Sequence, residues 1–216
     1  HRERLLSICS HYGIPLLEDA FEEEMKYSGR VVLPVKSMDS GQRVIYCGTF
    51  SKVLFPGLRV GWVAAHPECI RRLAALRRYG ELAPPGLLQA ALSRFCSEGW
   101  YEKHVSMMHK VYRKRMQTAL TALESFVSPE WARWTRPGGG YLIWLSMAPH
   151  PPVDWEKAFA FERIAVASGR SFFSSDPDGT FFRLSISSLD EVEIEEGVRR
   201  LGRAFQKVYE KRGIVK

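Results

Sequence analysis

Apolar positions along the chain alternate between helical and strand spacing, and the order of the two kinds of segment already outlines the fold. Arg2-Glu3-Arg4-Leu5-Leu6-Ser7-Ile8 reads as an amphipathic helix, ended at His11-Tyr12-Gly13 where glycine supplies the left-handed turn. Ile14-Pro15-Leu16-Leu17 runs as a short buried strand into Glu18-Asp19, so a carboxylate stands at its C-terminal end. A polar loop through Asp39-Ser40-Gly41 leads to a β-branched and aromatic run, Arg43 to Cys47, and Pro56-Gly57 turns the chain into a third strand, Leu58 to Ala64. Residues 67–79 return to helical spacing, Pro84-Pro85 opens a second helix, and Trp100 to about Phe126 is a long amphipathic third. Trp131 to Leu145 reads as two strands joined at Pro137-Gly138-Gly139-Gly140, then 155–168 as helix, Thr180 to Ser185 as strand, and Asp190 to about Lys211 as a closing helix. That last helix is capped by Asp190, acidic in its first turns and basic in its last, which complements the helix dipole. The pattern predicts an α/β part over 1–126 that includes the long helix, and a smaller α+β part over 127–216.

Composition adds bounds. Of 216 residues 45% are hydrophobic and 25% charged, the balance of a folded chain and not of a disordered one. No apolar run approaches the ~20 residues of a membrane helix, and no secretory signal pattern is present. Cys9, Cys47, Cys69 and Cys96 form no CxxC pair, so neither a disulfide framework nor a zinc site is indicated and a cytoplasmic setting is expected. His104 and His109 lie five apart, off the spacing for a shared metal, and read as a solvated helix face; no metal site is expected. The net charge of +7, with Arg71-Arg72, Arg77-Arg78 and Lys110 to Arg115, raises direct nucleic-acid binding, but no recognition motif accompanies those clusters.

The chemically informative stretch is Gly48-Thr49-Phe50-Ser51-Lys52 followed by Pro56-Gly57-Leu58-Arg59-Val60-Gly61-Trp62. A lysine directly after a buried strand must be paired or neutral, and a neutral amine can form a Schiff base. Thr49, Ser51 and Arg59 together offer the hydroxyls and guanidinium fork that a phosphate group needs.

Residues 48–62 resemble the Schiff-base segment of fold-type I pyridoxal-phosphate (PLP) enzymes of the class I/II aminotransferase superfamily, Ser/Thr-x-Ser-Lys then Pro-Gly-x-Arg-x-Gly. Glu18 to Tyr27 is similar to the segment carrying the pyridine-binding aspartate, Arg136 to Leu145 to the glycine-rich entry into the small domain, and Phe182 to Ser187 to the segment holding the substrate-carboxylate arginine. The resemblance implies an α/β fold, the C-terminal part of such a transferase. It gives Lys52 the role of the amine that joins PLP and moves the proton between substrate Cα and C4′. Asp19 would pair with the pyridine nitrogen, keeping the ring an electron sink. Thr49, Ser51 and Arg59 would hold the 5′-phosphate, and Arg183 the substrate α-carboxylate in a bidentate pair. Phe21 stands where the family usually carries a tyrosine hydrogen-bonded to the 3′-oxygen; ring packing survives there and the hydrogen bond does not.

The family also has a glycine-containing phosphate loop, a ring-stacking residue and an asparagine upstream of the position of His1. A fragment is therefore expected, binding PLP weakly or not at all as an isolated chain. Two classes of parent remain open. One is an aminotransferase acting on amino acids and 2-oxo acids, a homodimer in the full-length protein. The other is the effector domain of a GntR/MocR-type regulator, to which Glu18 to Gly29 and Gly48 to Trp62 are more similar; DNA would then be contacted only through an upstream winged helix.

Overall fold

A computed structural model describes residues 1–81, 85–149 and 152–210. The packing divides into two compact units, His1–Met107 and the chain from Met108 onward. The division falls inside the long helix, whereas the hydrophobic pattern counts that whole helix with the first part.

In the first unit, helix α1 (Arg2–His11) precedes strand β1 (Leu16–Asp19), and β2 (Val44–Thr49) and β3 (Gly61–Ala64) complete a sheet in the order β1-β2-β3. β1 and β2 are parallel, with Leu16 opposite Val44 and Asp19 opposite Cys47; β3 is antiparallel to β2, with Gly48 opposite Trp62. Parallel strands need a long crossover, and here residues 20–43 supply it with two 3₁₀ turns, Glu23–Met25 and Val35–Met38. Two carboxylates pin that crossover. Glu18 accepts from the amides of Val35 (2.8 Å) and Lys36 (2.9 Å). Asp39 accepts from Arg43 (3.0 Å) and Val44 (2.7 Å) and from Lys36 Nζ at 3.3 Å. Met25 and Val44 are fully buried at the centre of this unit. Helices α2 (Pro67–Gly80) and α3 (Gly86–Ser97) follow; Pro67 takes the first helical position of α2 and His66 Nδ1 caps it by accepting from the Glu68 amide. Pro85 stands at the start of α3, while Pro84 lies outside the described residues. Helix α4 (Trp100–Phe126) is the long helix expected from the pattern.

The second unit holds a four-stranded antiparallel sheet in the order β4-β5-β7-β6, from β4 (Ala132–Trp134), β5 (Leu142–Met147), β6 (Ala167–Ser168) and β7 (Phe181–Ser185). Helices α5 (Trp155–Phe161) and α6 (Glu191–Glu210) accompany it. Alternation on β5 and β7 buries Ile143, Leu145 and Phe182; Trp155 and Phe159 meet Phe182 edge-on, and Phe205 meets Trp155 in the same way. Asp190 and Glu193 form a reciprocal capping box, each side chain accepting from the other's amide at 2.9 Å. Lys211, the expected end of α6, lies outside the described residues.

Two elements differ from the sequence expectation. The helix over 155–168 ends at Phe161, because Arg163 takes a left-handed φ of +54° and Ala167-Ser168 pair with β7 as a strand. The third strand begins at Gly61 and not Leu58, since Pro56–Leu58 wind into a 3₁₀ turn that Arg59 ends at φ +52°.

Candidate active site

The parallel pair β1 and β2 sets the geometry. Asp19 closes β1 opposite Cys47, and β2 continues two residues further to Thr49 before the turn that carries Ser51 and Lys52. An acidic and a basic group thus come off the carboxyl ends of neighbouring parallel strands, where α/β sheets place their ligands. Within the turn, Thr49 Oγ1 accepts from the Ser51 amide at 3.2 Å, and the Leu54 amide donates to Phe50 at 2.9 Å. The Phe50 amide donates to Val60 at 3.2 Å, tying the turn to the segment that holds Arg59.

Asp19, Lys52 and Arg59 are all exposed, and among the described residues none of these three side chains makes a hydrogen bond or ion pair. The expected burial of the lysine is therefore not supplied by this chain: β2 is half-buried beyond Val44, and the turn stands at the end of the sheet. Phe21 is also exposed.

The neighbours are more constrained. Gly48 leaves room for Trp62, since a Cβ there would lie 2.4 Å from the indole ring. Tyr46 packs against the same indole at 5.2 Å between ring centres and donates to Glu23. Burial, then the Glu23 carboxylate, pushes the Tyr46 hydroxyl well above its ordinary range. Burial also raises the Cys47 thiol, with Asp19 and Cys69 adding to the effect, so Cys47 is a poor nucleophile despite its position.

Arg183 belongs to the second unit. It is half-buried on β7, opposite Trp144 on one side and Ala167 on the other, with its guanidinium 4.5 Å above the Phe172 ring. Trp144 also meets Phe172, Phe173 and Phe181, so the arginine stands in an aromatic wall. The wall is legible in the sequence only in part: Arg183 and Phe181 share a face by strand alternation, while Phe172 comes from a 3₁₀ turn, Gly169–Phe172, that the hydrophobic pattern does not mark. Pro137–Gly140 joins β4 to β5, with Gly140 at φ +69°.

The histidines depart from expectation. His104 and His109 are half-buried, and His104 Nε2 lies 2.8 Å from the carbonyl of Val53, next to Lys52. The basic clusters are largely paired. Arg71 and Arg72 meet Glu68, Arg77 meets Glu81, Arg94 meets Glu98, Lys114 meets Glu191, and Arg115 donates to Ser187. Among the described residues no group of three or more His, Cys, Asp or Glu could hold a metal ion, and no helix is long and apolar enough to cross a membrane.

A fold of this kind, with acid and amine at neighbouring strand ends, defines a member of the PLP-dependent transferases. Residues 2–201 match the family described as aminotransferase class I and II, and the chain belongs to that family. It is 34% identical over 212 residues to aromatic-amino-acid aminotransferase 1 of Thermococcus litoralis, covering 97% of this chain and 50% of that protein. It is 35% identical over 211 residues to the HTH-type transcriptional regulator TauR of Rhodobacter capsulatus, covering 95% and 42%. The structure of LysN, an α-aminoadipate aminotransferase from Thermus thermophilus complexed with N-(5′-phosphopyridoxyl)-L-leucine, superposes with a TM-score of 0.88 at 32% identity, covering 97% of this chain and 55% of that one. The chain spans about half the length of the relatives it matches. The family's cofactor is pyridoxal phosphate, and the donor set fits it: a free carboxylate for a ring nitrogen, a free amine for a carbonyl, and hydroxyls with a free guanidinium for a phosphate. Phe21 alone offers nothing to a phenolic oxygen.

Proposed function

We propose that this chain is the lysine-bearing part of a PLP-binding domain that, in the whole protein, moves an amino group between an amino acid and a 2-oxo acid. What supports the reading is the placement of Asp19 at the end of β1 and of Lys52 just past the end of the adjacent parallel β2, neither with a side-chain partner among the described residues. When bound, PLP supplies a carbonyl to capture the amine and a cationic ring to accept an electron pair. Asp19 keeps the ring nitrogen protonated by charge pairing. Thr49, Ser51 and Arg59 bind the phosphate, the guanidinium supplying charge-assisted hydrogen bonds. Lys52 Nζ would hold and move the proton at substrate Cα. Arg183 would orient the substrate by its α-carboxylate, its guanidinium lying over the Phe172 ring. The surroundings would be cytoplasmic and the complete protein a homodimer.

A second reading is favoured by Phe21. Without a hydroxyl for the 3′-oxygen the domain suits binding better than fast turnover, as in a GntR/MocR-type regulator that senses amines through PLP and contacts DNA elsewhere. The test is reduction with borohydride in the presence of PLP, which accumulates even transient products, followed by peptide mapping. A pyridoxyl label on Lys52, absent in Lys52→Ala, is expected; a label spread evenly over surface lysines would overturn the assignment. Keto-acid formation from amino-acid donors then separates enzyme from sensor.

A further inference from the structure

The turn that carries Lys52 is held from outside its own strand. Two residues one helical turn apart on α4 reach it from the same side: Tyr101 meets Phe50 edge-on at 5.6 Å, and His104 Nε2 meets the Val53 carbonyl at 2.8 Å. Phe50 and Val53 bracket Ser51 and Lys52 in sequence. A carbonyl oxygen can only accept, so the ring nitrogen must carry the proton. Both the cation and the Nε2–H neutral form can donate to that oxygen. Val53 is buried, so a carbonyl there without a partner would carry the cost of lost hydration.

Other features carry less. The cavity beside α6 is lined by Ile143, Ile194 and Leu201 with Arg163 and Arg200, and nothing indicates an occupant. The acidic run Glu22 to Glu24 is engaged in part with Tyr46 and Tyr101.

We propose that His104 is a positioning residue for Lys52: its hydrogen bond to Val53, with Tyr101 against Phe50, fixes the turn from which the amine projects. The role assigned to Lys52 rests on the function proposed above; the clamp itself does not. It follows that a change on α4 alters the reactivity of a lysine about fifty positions away in sequence.

The test compares the 216-residue chain with His104→Ala and His104→Gln by two measurements. In hydrogen exchange, the Leu54 amide, which closes the turn on Phe50, should exchange about fivefold faster in His104→Ala, the shift one net hydrogen bond corresponds to. His104→Gln, whose amide can donate at similar reach, should restore it. In borohydride trapping with PLP, the Lys52 label relative to Lys157 on α5 should fall by a similar factor in the alanine variant and recover in the glutamine one. Unchanged exchange at Leu54 in a folded His104→Ala chain overturns the clamp. Faster exchange with an unchanged Lys52 ratio overturns the positioning role. Failure of the wild type to label Lys52 preferentially would instead count against the proposed function, with the exchange result still deciding the clamp.

Discussion

Asp39 couples the fold to pH. Its side chain is 1% exposed, and burial alone would raise its pKa, but the amides of Val44 and Arg43 and the Lys36 ammonium hold the carboxyl below the usual carboxylate range. A depressed folded value means the unfolded chain binds the proton first. The stabilisation is therefore fully present above about pH 4, the unfolded range, and is lost as pH falls through the lower folded value. Asp39→Ala leaves two strand-start amides without partners and should lower unfolding stability by about 2–4 kcal/mol. Urea titrations at neutral pH check the loss, and the gap to wild type should narrow in acid. Phe21→Tyr makes the opposite kind of change. Returning the hydroxyl should tighten PLP binding by about fivefold, one hydrogen bond's worth, measurable by cofactor absorbance titration. At this scale a motif picks out residue types in the sequence, as at Lys52 and Arg59, but not their surroundings, which leave both side chains exposed. The sequence places His104 on a solvated face, because a histidine on an amphipathic helix looks the same whether its partner is water or a backbone carbonyl far off in the chain.

Two glycines on one helix show how tertiary packing sets the sign of a substitution. In α6, Gly202 lies against the end of α4: an added Cβ would come within 2.2 Å of the Phe126 carbonyl oxygen. Gly197 has nothing within 4 Å. Alanine gains about 1 kcal/mol of helix propensity at either position. Gly197→Ala should therefore raise stability by about that amount, whereas at Gly202 a backbone atom must move, and overpacking of this kind costs about 1–3 kcal/mol or more. Gly202→Ala should be a net loss of about 1–2 kcal/mol once propensity is subtracted, with paired melts of the two variants as the check. Such contacts do not show in hydrophobic period, which makes both glycines look like equal interruptions. Period also misled at 155–168, where the apolar run through Ile164 and Val166 continues past the end of α5 into β6. A left-handed Arg163 separates the two, and arginine carries no turn signal.

Across the whole chain, burial is uneven. α2 has no buried residue, and Leu76, Tyr79 and Leu87 are 66%, 91% and 85% exposed. α6 buries seven, including Phe205 and Tyr209. Local opening is cheapest where few apolar contacts break. Amides of 67–80 should therefore exchange well before those of 194–205, and dye binding to exposed apolar surface should be measurable in the folded chain. The overall class was readable because four separated motifs fall in one order. The place where packing divides was not, since it lies within α4, whose helical pattern runs unbroken through Met107 and Met108.

Trp62 lies on Gly48, just ahead of the turn that holds Lys52. That contact builds an optical gauge into the chain. A pyridoxyl chromophore seated at the strand ends is an energy acceptor for this indole, so occupancy reads out as quenched tryptophan emission. Of the six tryptophans, the share of quenching that Trp62→Phe removes measures how much of the signal arises at the site, without any turnover being needed.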